Sequence, residues 1–219
     1  SHELRTPLTV FRGYLETLAD EIEQYPHLTG PVTHLEQQAV RMQSLIEDLL
    51  DLSRVEFTER ASRTTTVAVP DIIDATIEQA HQLEAFDGHE IVARIDRRLL
   101  LLGNDAVLRM VFANLIFNTI KHSGAGTRIE VEWLRDDDEA VFRVSDNGRG
   151  IASNHLSRLT ERFYRVDAGR SRESGGTGLG LAIVKHGLER HGADLLIAST
   201  VGEGSTFTCR FPAARIAAL

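Results

Sequence analysis

The chain has 219 residues, enough for one large domain or two smaller ones, and a formal net charge of −8 that argues against a nucleic-acid surface. Its single cysteine, Cys209, excludes an internal disulfide and a cysteine-based metal site, and fits a reducing compartment. No apolar run approaches the roughly 20 residues that a membrane helix needs.

The first elements in chain order are helical. Leu4, Leu8, Phe11, Leu15, Leu18 and Ile22 step by four and three, the seam of an amphipathic helix, with Pro7 inside it. Tyr25-Pro26 through Gly30-Pro31 reads as a break and turn. A second helix follows, with Leu35, Ala39, Met42, Leu45, Ile46, Leu49 and Leu52 on its apolar side. One hairpin cannot cover both seams, so a second copy is the expected partner, in a dimeric four-helix bundle. The expected domains are residues 1–58 for this hairpin, 59–66 for a polar, β-branched linker, and 67–215 for an α+β domain.

In that second domain, strands are predicted near 67–69, 90–95 and 99–102. Hairpins are predicted to pair 128–134 with 140–145 and 194–200 with 206–211. Helices are predicted over 71–85, 105–122 and 179–191. This mixture gives a sheet with helices packed on one face.

Four stretches carry chemistry. On the predicted helix 105–122, Asn114, Asn118 and Lys121 share one stripe, with Val111, Leu115 and Phe117 set for the core. Two amides and an ammonium suit a metal–phosphate group, since an amide oxygen is a hard ligand for Mg²⁺. Next, Asp146-Asn147-Gly148-Arg149-Gly150-Ile151 follows a strand. Its glycines permit a sharp turn and close approach of a ligand, and an Asp there can accept a hydrogen bond from an exocyclic amine such as adenine's. Then Gly175-Gly176-Thr177-Gly178-Leu179-Gly180-Leu181 leads into a helix, so its backbone N–H groups can cradle phosphate. It is neither the dinucleotide fingerprint nor a P-loop. Between the last two lie Arg158, Arg162, Arg165, Arg170 and Arg172 around Phe163 and Tyr164, expected to be a lid over nucleotide. Alone, each stretch also has an ordinary reading: a polar helix face, a plain Asp-Asn-Gly turn, a flexible loop, a solvated helix–loop.

Taken together and in order, these stretches resemble sensor histidine kinases over nearly the whole chain. Ser1-His2-Glu3-Leu4-Arg5-Thr6-Pro7 is similar to their phosphoacceptor box. Residues 114–123 are similar to the asparagine box, 146–151 and 176–181 to the two glycine boxes, and 161–165 to the phenylalanine box. The resemblance implies a helical dimerisation and phosphotransfer hairpin followed by a Bergerat-type α/β sandwich that binds ATP. It implies His2 as phosphoacceptor, Glu3 as the adjacent base, and Thr6 as the residue that orients water in a phosphatase reaction. Asn118 would hold Mg²⁺, with Asn114, Lys121 and His122 near the phosphates. Asp146 would bind the adenine amine, and Thr206 would assist there through water. Gly148, Gly150, Ile151, Phe163, Tyr164, Arg165, Gly176, Thr177, Gly178, Leu179 and Gly180 would complete the nucleotide site.

The implied partners are a second copy and the receiver domain of a response regulator. The chain starts without Met, and the expectation is the cytoplasmic portion of a bacterial inner-membrane protein whose membrane part lies outside this sequence. The chemistry is coherent, because a neutral imidazole is a competent nucleophile at pH 7 and phosphoryl transfer needs charge neutralisation more than covalent assistance. Thr119 and His122 depart from the commoner Ala and Tyr or Phe of the family, and His122 is expected to add pH dependence near neutrality. Two other classes remain open: an ATP hydrolase of the gyrase and chaperone type, and a dimerising scaffold without transfer. The hydrolases place a general-base Glu where this chain has Asn114, which cannot take a proton from water.

Overall fold

The computed structural model describes residues 2–21, 25–57, 64–82, 88–166 and 176–217. Ser1, Ile22, Ala85, Arg170, Arg172, Gly175 and most of the predicted linker lie outside the described residues. The chain divides into two compact units. One comprises residues 1–53 with 167–177, the other 54–166 with 178–219.

The first unit is built on α1 (His2–Glu21) and α2 (Pro26–Phe57). Leu8 and Leu15 of α1 and Ala39 of α2 are buried together, with Ile46 packed against them. Arg12 donates to Gln43 Oε1 at 3.2 Å across the pair. The heptad-spaced Phe11 and Leu18 on α1, and Leu35, Met42 and Leu49 on α2, remain exposed. The hairpin thus closes one seam and leaves a second open. The predicted break is one turn too long: α2 starts at Pro26 and runs through Gly30 and Pro31. Pro26 stands in the first turn, where its missing N–H costs nothing and its fixed φ favours the helix. Pro31 then forfeits only one internal bond.

The second unit is α+β, as expected. A five-stranded sheet has the order β2-β4-β5-β7-β6, from β2 (Glu90–Ile95), β4 (Arg128–Asp136), β5 (Glu139–Asp146), β6 (Asp194–Thr200) and β7 (Gly204–Phe211). Its pairs are antiparallel except β2 with β4, a parallel pair that the hairpin pattern did not suggest. A two-stranded sheet joins β1 (Thr65–Val67) to β3 (Leu101–Gly103), so Thr65 and Thr66 belong to a strand. Three longer helices complete the unit: α3 (Val69–Ala80), α4 (Asp105–Ser123) and α6 (Gly180–His191), with a single-turn α5 (Ser153–Leu156).

Strand alternation turns Val131, Trp133, Phe142, Val144, Phe207 and Cys209 toward the helices. Phe112 of α4 sits at the centre, 4.5 Å from Phe142 and about 6 Å from Trp133 and Phe211, centroid to centroid. Helix α4 packs close to α6, because a Cβ on Gly187 would lie 2.5 Å from Val111 Cγ2. Asn104 caps α4 by accepting from the Val107 N–H, and its own N–H donates to Nε2 of the buried His191. The two helices that frame the site are therefore fixed to each other at both packing and polar contacts. Among the described residues no helix is long and apolar enough to cross a membrane.

Candidate active site

Three segments of the second unit converge: the last turns of α4, the turn after β5, and the first turn of α6. Asn114 Nδ2 donates to the Met110 carbonyl at 2.8 Å, which leaves Oδ1 as its outward atom. That oxygen would be 2.7 Å from a Cβ on Gly180, and Asn118 Nδ2 would be 2.9 Å from it. Residue 180 must therefore lack a side chain for the start of α6 to abut the two amides. Leu179 provides no side-chain cap there, so the amides of that turn are not closed by the helix's own cap residue. Two amide side chains beside a helix N-terminus form a donor set that fits a hard cation and phosphate.

At the end of α4, Lys121, Arg149 and Arg165 surround the half-buried His122. Burial first, then these cations in that order, hold its imidazole down at about pKa 4, so His122 is neutral at pH 7 and does not bring the expected pH dependence near neutrality. A concentration of positive charge next to Asn118 has the sign that a triphosphate requires.

The turn after β5 is held by Asp146. Its Oδ1 accepts from the Gly148 N–H at 2.8 Å. Burial raises its pKa, while the backbone N–H groups of Gly148 and Ser205 and the Arg149 charge pull the other way. A Cβ on Gly148 would lie 2.2 Å from the Ser123 carbonyl, and Gly150 adopts φ +64 with its missing Cβ only 1.9 Å from the Thr200 carbonyl. Both positions exclude a side chain, so the glycines serve close packing between α4, this turn and β6. Ile151 follows, its N–H donating to Ser199 Oγ at 2.7 Å.

Downstream of α5, Phe163 has φ +63, an exposed ring, and an N–H that donates to the Gly178 carbonyl at 2.9 Å. Tyr164 turns to α5: its hydroxyl lies 2.6 Å from His155 Nδ1, and Arg158 stacks on its ring at 4.2 Å. Arg165 comes back toward His122. Gly176 and Thr177 group with the first unit, where Thr177 Oγ1 donates to Asp48. His2 and Glu3 lie in the first turn of α1, and Thr6 is exposed one turn later.

One assignment changes. Thr206 pairs with Ser145, and its hydroxyl donates to Ser145 Oγ at 3.2 Å on the outer face of the sheet. Ser205 pairs with Asp146 and turns to the same side, so alternation puts residue 205 rather than 206 beside the carboxylate. His155, Ser199 and Ser205 were not singled out from the sequence. Only Ser205 left a signal there, through the period of its strand.

The residues 103–215 match the family of histidine kinase-, DNA gyrase B- and HSP90-like ATPases, and residues 1–58 match the His Kinase A phospho-acceptor domain. The chain is 46% identical over 99% of its length to the phosphate regulon sensor protein PhoR of Pseudomonas aeruginosa, and 40% identical over 97% to PhoR of Haemophilus influenzae. In both cases it spans about half of the relative, 49%. Among solved structures, full-length ShkA in complex with AMPPNP superposes with a TM-score of 0.71 at 25% identity, over 99% of this chain and 45% of that one. The chain belongs to the histidine kinase-, DNA gyrase B- and HSP90-like ATPase family, as the phosphoacceptor and ATP-binding core of a PhoR-like sensor histidine kinase.

Proposed function

We propose that the chain transfers the γ-phosphoryl group of ATP to His2 and passes it on to an aspartate of a response regulator receiver domain, in phosphate-starvation signalling. The observation that carries this reading is the amide pair Asn114–Asn118 set against Gly180, with cationic Lys121, Arg149 and Arg165 beside it and Asp146 in the next turn. Asp146 accepts the adenine amine. Asn118 holds Mg²⁺, with Asn114 next to it, and the ion when bound neutralises phosphate charge. Lys121 and the arginines stabilise charge on the phosphoryl oxygens. The His2 imidazole nitrogen attacks the γ-phosphorus as its bond to the β,γ-bridging oxygen breaks and ADP leaves, and Glu3 accepts or directs the imidazole proton.

A hydrolase is the weaker reading. Asn114 stands where a water-activating base is needed, and its amide nitrogen is engaged with Met110. The open heptad seam of α1 and α2 supports a homodimeric bundle, in which Phe11, Leu18, Leu35, Met42 and Leu49 find cover in the second copy.

Thr6 lies four residues after His2, on the same helical face, and positions water for dephosphorylation of the partner. Protein labelled from γ-labelled ATP should pass its label to a purified receiver domain. Thr6→Ala should retain self-labelling while slowing removal of phosphate from the receiver. Equal loss of both rates would make Thr6 structural, and absence of any label on the protein itself would leave only ATP binding.

A further inference from the structure

Asp146, Ser205 and Ser199 form one cross-strand row: Asp146 is paired with Ser205 between β5 and β7, and Ser205 with Ser199 between β7 and β6. Side chains in such a row point to the same face of the sheet. The Ser205 N–H lies on the side of the Asp146 carboxylate and favours its charged form.

The row ends in a hydroxyl with its full complement of bonds. Ser199 Oγ donates to the Gly204 carbonyl at 2.8 Å, accepts from the Ile151 N–H at 2.7 Å, and lies 3.0 Å from Ser205 Oγ. A serine hydroxyl has one proton and two lone pairs. Its proton is committed to Gly204, so Ser205 must be the donor in the third contact. One oxygen thus ties together the start of β7, which holds Asp146, and the end of the glycine turn, whose other end also holds Asp146 through the Gly148 N–H. A second tie runs parallel to it, from the Gly202 N–H to the Arg149 carbonyl at 2.9 Å.

We infer that Ser199 is the positioning residue for base recognition: it joins the glycine turn whose Gly148 N–H aims the Asp146 carboxylate to the start of β7 that pairs with Asp146, and thereby controls discrimination between adenine and guanine nucleotides. The inference rests on the nucleotide-binding reading. The chemistry of discrimination is local. A carboxylate accepts from an exocyclic amine, as adenine offers, and repels the carbonyl oxygen that guanine presents at that position. A carboxylate free to turn loses the first preference and relieves the second. A hydroxyl that only stabilised the sheet would weaken both nucleotides alike.

The test uses the whole chain with Ser199→Ala and with Ser199→Thr, which keeps the hydroxyl. Mg-ATP and Mg-GTP are titrated calorimetrically, and amide hydrogen exchange is read in the nucleotide-free protein. Ser199→Ala should weaken ATP about tenfold, the equivalent of one hydrogen bond, and GTP less than about twofold. Ser199→Thr should restore the ATP preference. The Ile151 amide should exchange faster in the alanine variant without nucleotide. Equal weakening of ATP and GTP, or unchanged exchange at Ile151, would overturn the inference. A wild-type protein that binds no ATP would instead overturn the nucleotide reading, and the exchange measurement would still decide whether Ser199 holds the turn.

Discussion

Burial pushes the Asp146 carboxyl up, and the Gly148 N–H that donates to it pulls the other way. That arrangement leaves the remaining lone pairs aimed at whatever amine enters the site. Asp146→Asn exchanges an acceptor for a side chain that can also present a donor. ATP affinity should fall roughly tenfold to a hundredfold, since a charge-assisted hydrogen bond contributes about 1.5–3 kcal/mol. Calorimetric titration of the folded variant checks this, and unchanged affinity would remove Asp146 from the site. Asp146 stood out in the sequence only in company with the other stretches, because alone an Asp-Asn-Gly sequence after a strand is an ordinary turn. Its neighbour Ser205 was not identified, although the period-two pattern of the strand distinguishes it from Thr206. Ser199 was illegible altogether: nothing in Ala198-Ser199-Thr200 announces that one hydroxyl joins a turn 48 residues away.

At the level of elements, the glycines of α6 set how near it comes to α4. A methyl group at 180 would enter the space between Asn114 Oδ1 and Asn118 Nδ2. Gly180→Ala should therefore lower Mg-ATP affinity roughly tenfold or more while the fold persists, as read by circular dichroism beside calorimetry. Gly187→Ala meets the stiff Val111 side chain at 2.5 Å, and Val107 at 3.3 Å, so there the cost falls on stability. Overpacking of about 1–3 kcal/mol outweighs the gain of about 1 kcal/mol in helix propensity. The melting temperature should drop by a few degrees with nucleotide affinity unchanged.

The helices themselves were readable from spacing and the hairpins from turn chemistry. The parallel β2–β4 pair was not, because a sequence displays strands but not which distant strand each one joins. The start of α2 at Pro26 differs from the expected break because proline ends a helix in one position and begins one in another.

The molecule as a whole should be sensitive to mild acid. His122 is neutral in the folded protein down to about pH 4, whereas an unfolded histidine takes up its proton near 6.5. The stabilisation is therefore complete above about pH 6.5 and is lost as pH falls toward 4, approaching roughly 3 kcal/mol. Buried His191, also depressed by burial, acts in the same direction. Asp146, raised by burial, acts oppositely at the acid end. Urea midpoints at pH 7.5 and pH 5 should differ clearly for the wild type, and His122→Asn should reduce the difference. Equal midpoints for the wild type would contradict the burial of a neutral His122 among three cations.

An ATP-binding site that serves a histidine leaves phosphohistidine behind, which stability measurements do not detect. The direct measurement is the chemical lability of the label left after incubation with γ-labelled ATP and denaturation. Phosphate on a histidine nitrogen survives alkali and is lost in acid. The label should be acid-labile and alkali-stable, absent in His2→Gln and abolished by Asp146→Asn through loss of ATP binding. A label that survives acid, one that persists in His2→Gln, or steady release of phosphate with no labelled protein would contradict phosphoryl transfer to His2.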